Sequence, residues 1–206
     1  MALDKQENKK KIGILGGTFD PAHRGHLSIS KEAKKRFGID KIIWAVTKKN
    51  PFKIKSSLSL DKRIKYAKKI AQNNLFIKVK YFENKIKSNR TIDLIKNIKR
   101  KNKNTDIYFI MGADNLRSFH KWKNHNEIIK EHNIYVYPRI LTDQELKETE
   151  SKEQHRFEHE NIIHCDAPMM KISSSFIRAA IKNKKDVQYL LTEPVFKYVE
   201  EMNFYK

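Results

Sequence analysis

The residues of this chain that could do chemistry begin with two histidines, His23 and His26, in the string Gly16-Gly17-Thr18-Phe19-Asp20-Pro21-Ala22-His23-Arg24-Gly25-His26. An imidazole donates a hydrogen bond to an anion and titrates near neutral pH. Residues at i and i+3 of a helix share a face, so both rings can reach one phosphate group. An apolar helical pattern starts at Leu27 and runs through Ile29 to Ala33, which places both histidines near a helix N-terminus. Open backbone N–H groups and the positive end of the macrodipole make such a terminus an anion site. Gly16-Gly17 is expected to allow positive φ and close ligand approach. Asp20 before Pro21 is expected to bend the chain.

A second set lies far downstream, in Ile172-Ser173-Ser174-Ser175-Phe176-Ile177-Arg178. Hydroxyls and open N–H groups at a helix start, with an arginine one turn in, suit a phosphate clamp. A third is Gly112-Ala113-Asp114, followed by Trp122. Alone, Asp114 reads as a helix N-cap and Trp122 as a core aromatic. An indole face can also stack on a cationic pyridine ring. Neither the dinucleotide fingerprint G-x-G-x-x-G nor the P-loop is present.

These groups need a frame to hold them. Short apolar runs at 12–15, 41–47, 75–81, 105–111, 133–137 and 162–165 read as strands. Helical periods fall at 25–37, 60–71 and 91–99, with Gly38 as a C′ stop and Thr91 as a candidate N-cap. A further helical region carries Trp122 and ends near Lys130. Another follows Ser173-Ser174, with Phe176, Ile177, Ala180 and Ile181 inward. A last helix runs from a Thr192 cap, with Pro194 in its first turn, through Met202. Residues 48–59 form a basic loop, and the charged stretch 141–160 is an exposed helix or an excursion.

The alternation implies one α/β domain over 1–206, a Rossmann-like doubly wound parallel sheet with flanking helices. A small C-terminal helical part spans 170–206, and residues 1–10 read as a leader. Ligands of such sheets bind beyond the carboxyl ends of the strands. The Gly-Gly turn, the loop 47–53 and Gly112–Asp114 should therefore share one edge.

The first string resembles the signature of the HxGH nucleotidyltransferase superfamily, and Ile172–Arg178 resembles that superfamily's Ile-Ser-Ser-Thr-x-Ile-Arg segment. Gly112, Asp114 and Trp122 resemble the pyridine-nucleotide pocket of its nicotinate-nucleotide adenylyltransferase branch. Thr91 matches part of that branch's Tyr-Thr-x-Asp-Thr segment, with Arg90 in place of Tyr and Leu94 in place of the second Thr. Lys53, in a Pro-x-Lys, and Arg139, after Pro138, are similar to further segments. The resemblance implies adenylyl transfer from ATP to nicotinate mononucleotide, giving deamido-NAD and pyrophosphate. It implies ATP on Gly16, Gly17, Thr18, Phe19, His23, His26, Gly112, Asp114, Ile172, Ser173, Ser174 and Arg178, with His23, His26 and Arg178 catalytic. The mononucleotide would meet Lys53, Thr91, Asp114, Trp122 and Arg139. Mg²⁺ would arrive with ATP, without a carboxylate cage of its own. Pantetheine-phosphate adenylyltransferase shares the first and last motifs and is the alternative.

Lys plus Arg number 44 against 24 Asp plus Glu, a formal net charge of +20. The lysines are scattered rather than gathered into an arm or an aromatic–basic platform, so specific nucleic-acid binding is not expected, and a basic nucleic-acid binder on a degenerate fold is the reading from another class. The single cysteine, Cys165, excludes a disulfide framework and fits a cytoplasmic location. No apolar run approaches the roughly 20 residues of a membrane span. A homo-oligomer is left open.

Overall fold

The computed structural model describes residues 9–50, 56–138, 159–166 and 172–205. Six strands, β1 (Lys10–Gly17), β2 (Lys41–Val46), β3 (Ile77–Tyr81), β4 (Thr105–Gly112), β5 (Asn133–Tyr137) and β6 (Ile162–His164), form one sheet in the order β3-β2-β1-β4-β5-β6. Every neighbouring pair is parallel. The chain winds outward from β1 to β3 on one side and from β4 to β6 on the other. The switch point therefore lies between β1 and β4.

Period-two alternation sends the central strands into two cores. Leu15, Ile42, Trp44 and Val46 face one side, where α1 (Arg24–Phe37), α2 (Leu60–Ala71), α7 (Ser174–Lys182) and α8 (Glu193–Glu201) supply Ile29, Ala67, Ile177 and Val195. Ile12, Ile14, Ile43 and Ala45 face the other. There α4 (Thr91–Lys101) and α6 (His125–Glu131) supply Ile95 and Ile128. Two short helices, α3 (Glu83–Ile86) and α5 (Ala113–Arg117), and two 3-10 turns, Phe119–Lys121 and Gln188–Leu190, complete the described elements. A strand covered on both faces reads as a continuous apolar run, which is why β1 and β2 are so plain in the sequence.

Helix α1 stops at Gly38, left-handed at φ 61°, as expected. Other expectations are corrected. Leu75 is 84% exposed, and the strand starts at Ile77. Phe176 points outward at 39% exposure, while Ile177, Ala180 and Ile181 are buried. Arg90 occupies the cap position of α4, and Thr91 is its first residue. The Thr192 hydroxyl caps nothing: it is buried without a hydrogen-bond partner among the described residues, while the Thr192 carbonyl accepts from Val195 and Phe196. Gly16 and Gly17 are the last residues of β1 and have no positive φ; the left-handed residue of this turn is Phe19, at φ 51°.

Candidate active site

The turn after β1 is held by Trp44 and Ser30 as well as by its own rings. Phe19 is buried and stacks on Trp44, centroids 5.1 Å apart at 17°. It also lies 4.7 Å from the His26 ring, which in turn is 3.9 Å from His23. The Trp44 indole N–H donates to Ser30 Oγ at 2.9 Å, and Ser30 Oγ donates to the His26 carbonyl at 2.8 Å. β2 thus fixes the first turn of α1. A bulky residue held in the left-handed region marks a turn fixed by its surroundings.

His23 occupies the N-cap position of α1 in extended backbone, and its N–H donates to His26 Nδ1 at 3.2 Å. Gly25 between them has a steric reason. A Cβ there would stand 2.8 Å from Ile172 Cγ2 and 2.9 Å from His23 Nδ1. The same contact brings the remote Ile172 segment onto the turn.

Three further bonds lock that segment in place. Ser174 Oγ donates to the Pro21 carbonyl at 2.9 Å, and Arg178 Nη1 donates to the Asp20 carbonyl at 2.6 Å. Ser173 Oγ accepts from Phe176 N at 3.1 Å, capping α7, as expected. The Ser174 proton is therefore committed to the turn. What α7 offers an anion here is its first-turn N–H groups and the remaining donors of Arg178.

On the opposite side of the turn sits Arg63, 2% exposed. Its guanidinium donates to the carbonyls of Thr18, Thr47, Lys48 and Leu58 at 2.7, 2.7, 3.0 and 3.2 Å. The loops after β1 and β2 are thus clasped by one cation.

A pocket of about 270 Å³ opens beside the turn, floored by Gly16 and Gly17. Its walls include Ala45, Val46, Thr91, Leu94, Phe109 and Trp122, with Lys49, Arg90, Lys121 and Lys123 among the lining cations. Trp122 also packs edge-on against Phe109 and Phe119, at 5.8 and 5.2 Å. Its indole N–H is buried with no hydrogen-bond partner among the described residues. It is both a core aromatic and a pocket wall. Glu83 brings a carboxylate to the lining; burial holds its pKa above the usual range, against the pull of the Lys48 N–H and the Arg63 charge.

The structure brings Gly16, Gly17, Thr91 and Trp122 to this pocket, and His23, His26, Ile172, Ser173, Ser174 and Arg178 to the adjoining turn. Thr18 and Phe19 link the two. Asp114 lies in the first turn of α5, beyond the carboxyl end of β4, and is not among the residues lining the pocket. Its Oδ1 folds back over Gly112, where a Cβ would stand 2.5 Å away. Lys53, Arg139 and most of the charged stretch 141–160 lie outside the described residues. Among those residues no group of three or more His, Cys, Asp or Glu comes together as a metal site, and no helix is long and apolar enough to cross a membrane.

Little in the sequence points to Arg63, Ser30 or Trp44. The signal for Arg63 was a lone arginine on the otherwise apolar face of α2, one turn after Leu60 and beside Ile64, Ala67 and Ile70.

A doubly wound parallel sheet with a helix-start turn beside a ring-sized pocket at its carboxyl edge is the arrangement in which open α/β sheets bind nucleotides, and the family match makes it that of a nucleotidyltransferase. The chain belongs to the Cytidylyltransferase-like family, whose model matches residues 14–180, and within it to the nicotinate-nucleotide adenylyltransferases. It is 40% identical to the "Probable nicotinate-nucleotide adenylyltransferase" of Christiangramia forsetii over 200 residues, 96% of this chain and 99% of the relative. The protein of the same name from Pelagibacter ubique is 60% identical over 133 residues, 65% of this chain and 73% of the relative. In fold the chain resembles Plasmodium falciparum nicotinic acid mononucleotide adenylyltransferase complexed with NaAD, with a TM-score of 0.75 at 20% identity, covering 95% of this chain and 97% of that one.

Proposed function

We propose that the chain transfers the adenylyl group of ATP to nicotinate mononucleotide, releasing deamido-NAD and pyrophosphate. One observation carries the reading. The His23–His26 turn and the start of α7, distant in sequence, are hydrogen-bonded together beside a pocket walled by an indole and lined with cations.

The phosphate of the mononucleotide attacks the α-phosphorus of ATP in line, and pyrophosphate leaves. Both reactants are anions, so the protein's task is to align them and to stabilise charge as it shifts. His23 and His26 donate to the α-phosphate and its bridging oxygen. Arg178 and the first-turn N–H groups of α7 hold the triphosphate tail, with Ser173 and Ser174 building that turn. Trp122 faces the pyridine ring, which is cationic in the substrate. Arg90, at the cap of α4, and Lys121 and Lys123 favour the substrate's carboxylate. Lys53 remains a candidate for the incoming substrate phosphate, and Asp114 and Arg139 remain candidates for contact with the nucleotides. Mg²⁺ would arrive with the nucleotide and would offset the phosphate charge, with no protein carboxylate needed to hold it. The nearby Asp20 does not fit as a metal ligand, because Ser57 N, Leu58 N and the Tyr205 hydroxyl already occupy its oxygens.

The test is pyrophosphate release with ATP and, in turn, nicotinate mononucleotide, nicotinamide mononucleotide and phosphopantetheine. Release is expected to be fastest with the first. Turnover confined to phosphopantetheine, or RNA retention with no pyrophosphate from any acceptor, overturns the reading.

A further inference from the structure

Asp20 is 2% exposed, and both of its carboxylate oxygens are engaged. Ser57 N donates to Oδ2 at 2.6 Å and Leu58 N to Oδ1 at 3.3 Å, while the Tyr205 hydroxyl donates to Oδ1 at 2.8 Å. The Asp20 carbonyl takes the Nη1 donor of Arg178. One residue of the β1 turn therefore ties together the loop after β2, helix α7 and the segment after α8.

That last segment is itself anchored. Phe204 lies 5.9 Å from the Tyr66 ring, with Lys62 Nζ 4.6 Å over its face, so it is seated on α2. Tyr205 is left-handed at φ 67°, a conformation a bulky residue keeps only where its contacts fix it. Burial, then the Asp20 charge, push the Tyr205 phenol far above its usual range, so it stays a donor at all working pH values. The positive charge of Arg178 also acts on that phenol, which places the two groups in one electrostatic neighbourhood.

We propose that Tyr205 is a positioning residue for ATP, acting through Asp20 on Arg178. The proposal rests on the adenylyl-transfer reading. With the hydroxyl present, three neutral donors satisfy the Asp20 carboxylate, and the hydrogen bond of Arg178 among the described residues goes to the carbonyl of Asp20. Without it, a buried carboxylate lacks a donor. The Asp20 charge also acts on Arg63, but that guanidinium is held by four carbonyls, so Arg178, already anchored on Asp20, is the cation drawn to fill the gap. A guanidinium paired with Asp20 is turned from the triphosphate. Tyr205 thus sets the affinity for ATP without touching it.

The experiment compares Tyr205→Phe, which keeps the ring, with Phe204→Leu, which loosens the same segment without disturbing the Asp20 bond. Both are assayed for steady-state kinetics in each substrate and for ATP binding by calorimetry. Tyr205→Phe is expected to raise the KM and Kd for ATP about tenfold, the size of a lost hydrogen bond to a charged group, with the KM for nicotinate mononucleotide unchanged. Phe204→Leu is expected to lower Tm while leaving both KM values in place. An active wild type with an unchanged ATP KM in Tyr205→Phe overturns the role of Tyr205 alone. So does a fall in kcat with both KM values unchanged, which is loss of folded protein. A wild type that neither binds ATP nor releases pyrophosphate overturns the adenylyl-transfer reading, and the positioning role with it.

Discussion

The backbone N–H of His23 donates to Nδ1 of His26 at 3.2 Å. A neutral imidazole has one donor and one acceptor nitrogen, so this bond assigns the ring proton to Nε2. His26 is thereby set as a hydrogen-bond donor without having to be charged, and its ring is held by Phe19 and Trp44 as well. On the proposed mechanism, His26→Ala removes a donor to the charge that develops during transfer. Its kcat should fall by about two to three orders of magnitude, as when one oxyanion-stabilising donor is lost. Near-normal turnover in a folded variant, checked by circular dichroism, would remove His26 from the transition state.

Gly25 has no room for a side chain. A methyl there meets Ile172 Cγ2 at 2.8 Å and the His23 ring at 2.9 Å. Gly25→Ala should cost about 1–3 kcal/mol of stability, from overpacking, and should depress activity more steeply because the β1 turn and the Ile172 segment part. Adding Ile172→Ala removes the closer obstacle and should recover part of the lost stability. Chemical denaturation of the single and double variants checks this coupling. Strictly additive losses would mean that the two residues do not share the contact.

The frame was legible because physics writes it in period and composition. Strands buried on both faces leave apolar runs, Gly38 ends a helix, and Ser173 caps one. The turn was legible too, because Gly16-Gly17, His23, His26 and the Ser173–Arg178 segment together resemble one signature, whereas each alone reads as an ordinary turn or helix cap. What escaped was the support beneath it. Phe19 takes the left-handed backbone that Gly16-Gly17 would have accepted more readily, because stacking on Trp44 and His26 fixes it. Arg63 and Tyr205 act through carbonyls and a carboxylate that only tertiary folding brings within reach, and backbone acceptors carry no residue-type signal. Asp20 read as a bend residue, yet it is the point where three distant segments meet.

Arg63 offers a stability test. Four carbonyls, from Thr18, Thr47, Lys48 and Leu58, depend on one buried guanidinium. Arg63→Met fills much of the volume but leaves those acceptors without their donor. It should lose about 3 kcal/mol or more, since each unsatisfied buried group costs on the order of 1–3 kcal/mol. Arg63→Lys keeps the charge but lacks the planar fork, so it should fall between wild type and Met. Urea midpoints at constant m-value measure both. A Lys variant as poor as Met would show that fork geometry matters here and charge does not.

Glu83 gives a pH dependence whose sign follows from its surroundings. Burial raises its pKa above the usual 4.5, although the Lys48 N–H donates to Oε1 at 3.0 Å and the Arg63 charge opposes the shift. The folded chain therefore holds this proton more tightly than the unfolded chain. The stabilising contribution is complete below 4.5 and is lost as pH rises through the higher folded value. Glu83→Gln cannot titrate, and its Oε1 can still accept from Lys48. Relative to wild type, the Gln variant should gain stability with rising pH and then level off above the folded pKa of Glu83. Urea midpoints of the two proteins between about pH 4 and about pH 8 trace that difference, the span over which a raised carboxylate titrates. A difference that stays flat, or that favours wild type as pH rises, would mean the carboxylate gains more from its donors than burial takes away. Because Glu83 also lines the pocket, the same substitution removes a negative charge from the wall proposed to receive the nicotinate carboxylate. The KM for nicotinate mononucleotide should then fall near neutral pH, with the KM for ATP held constant as the control.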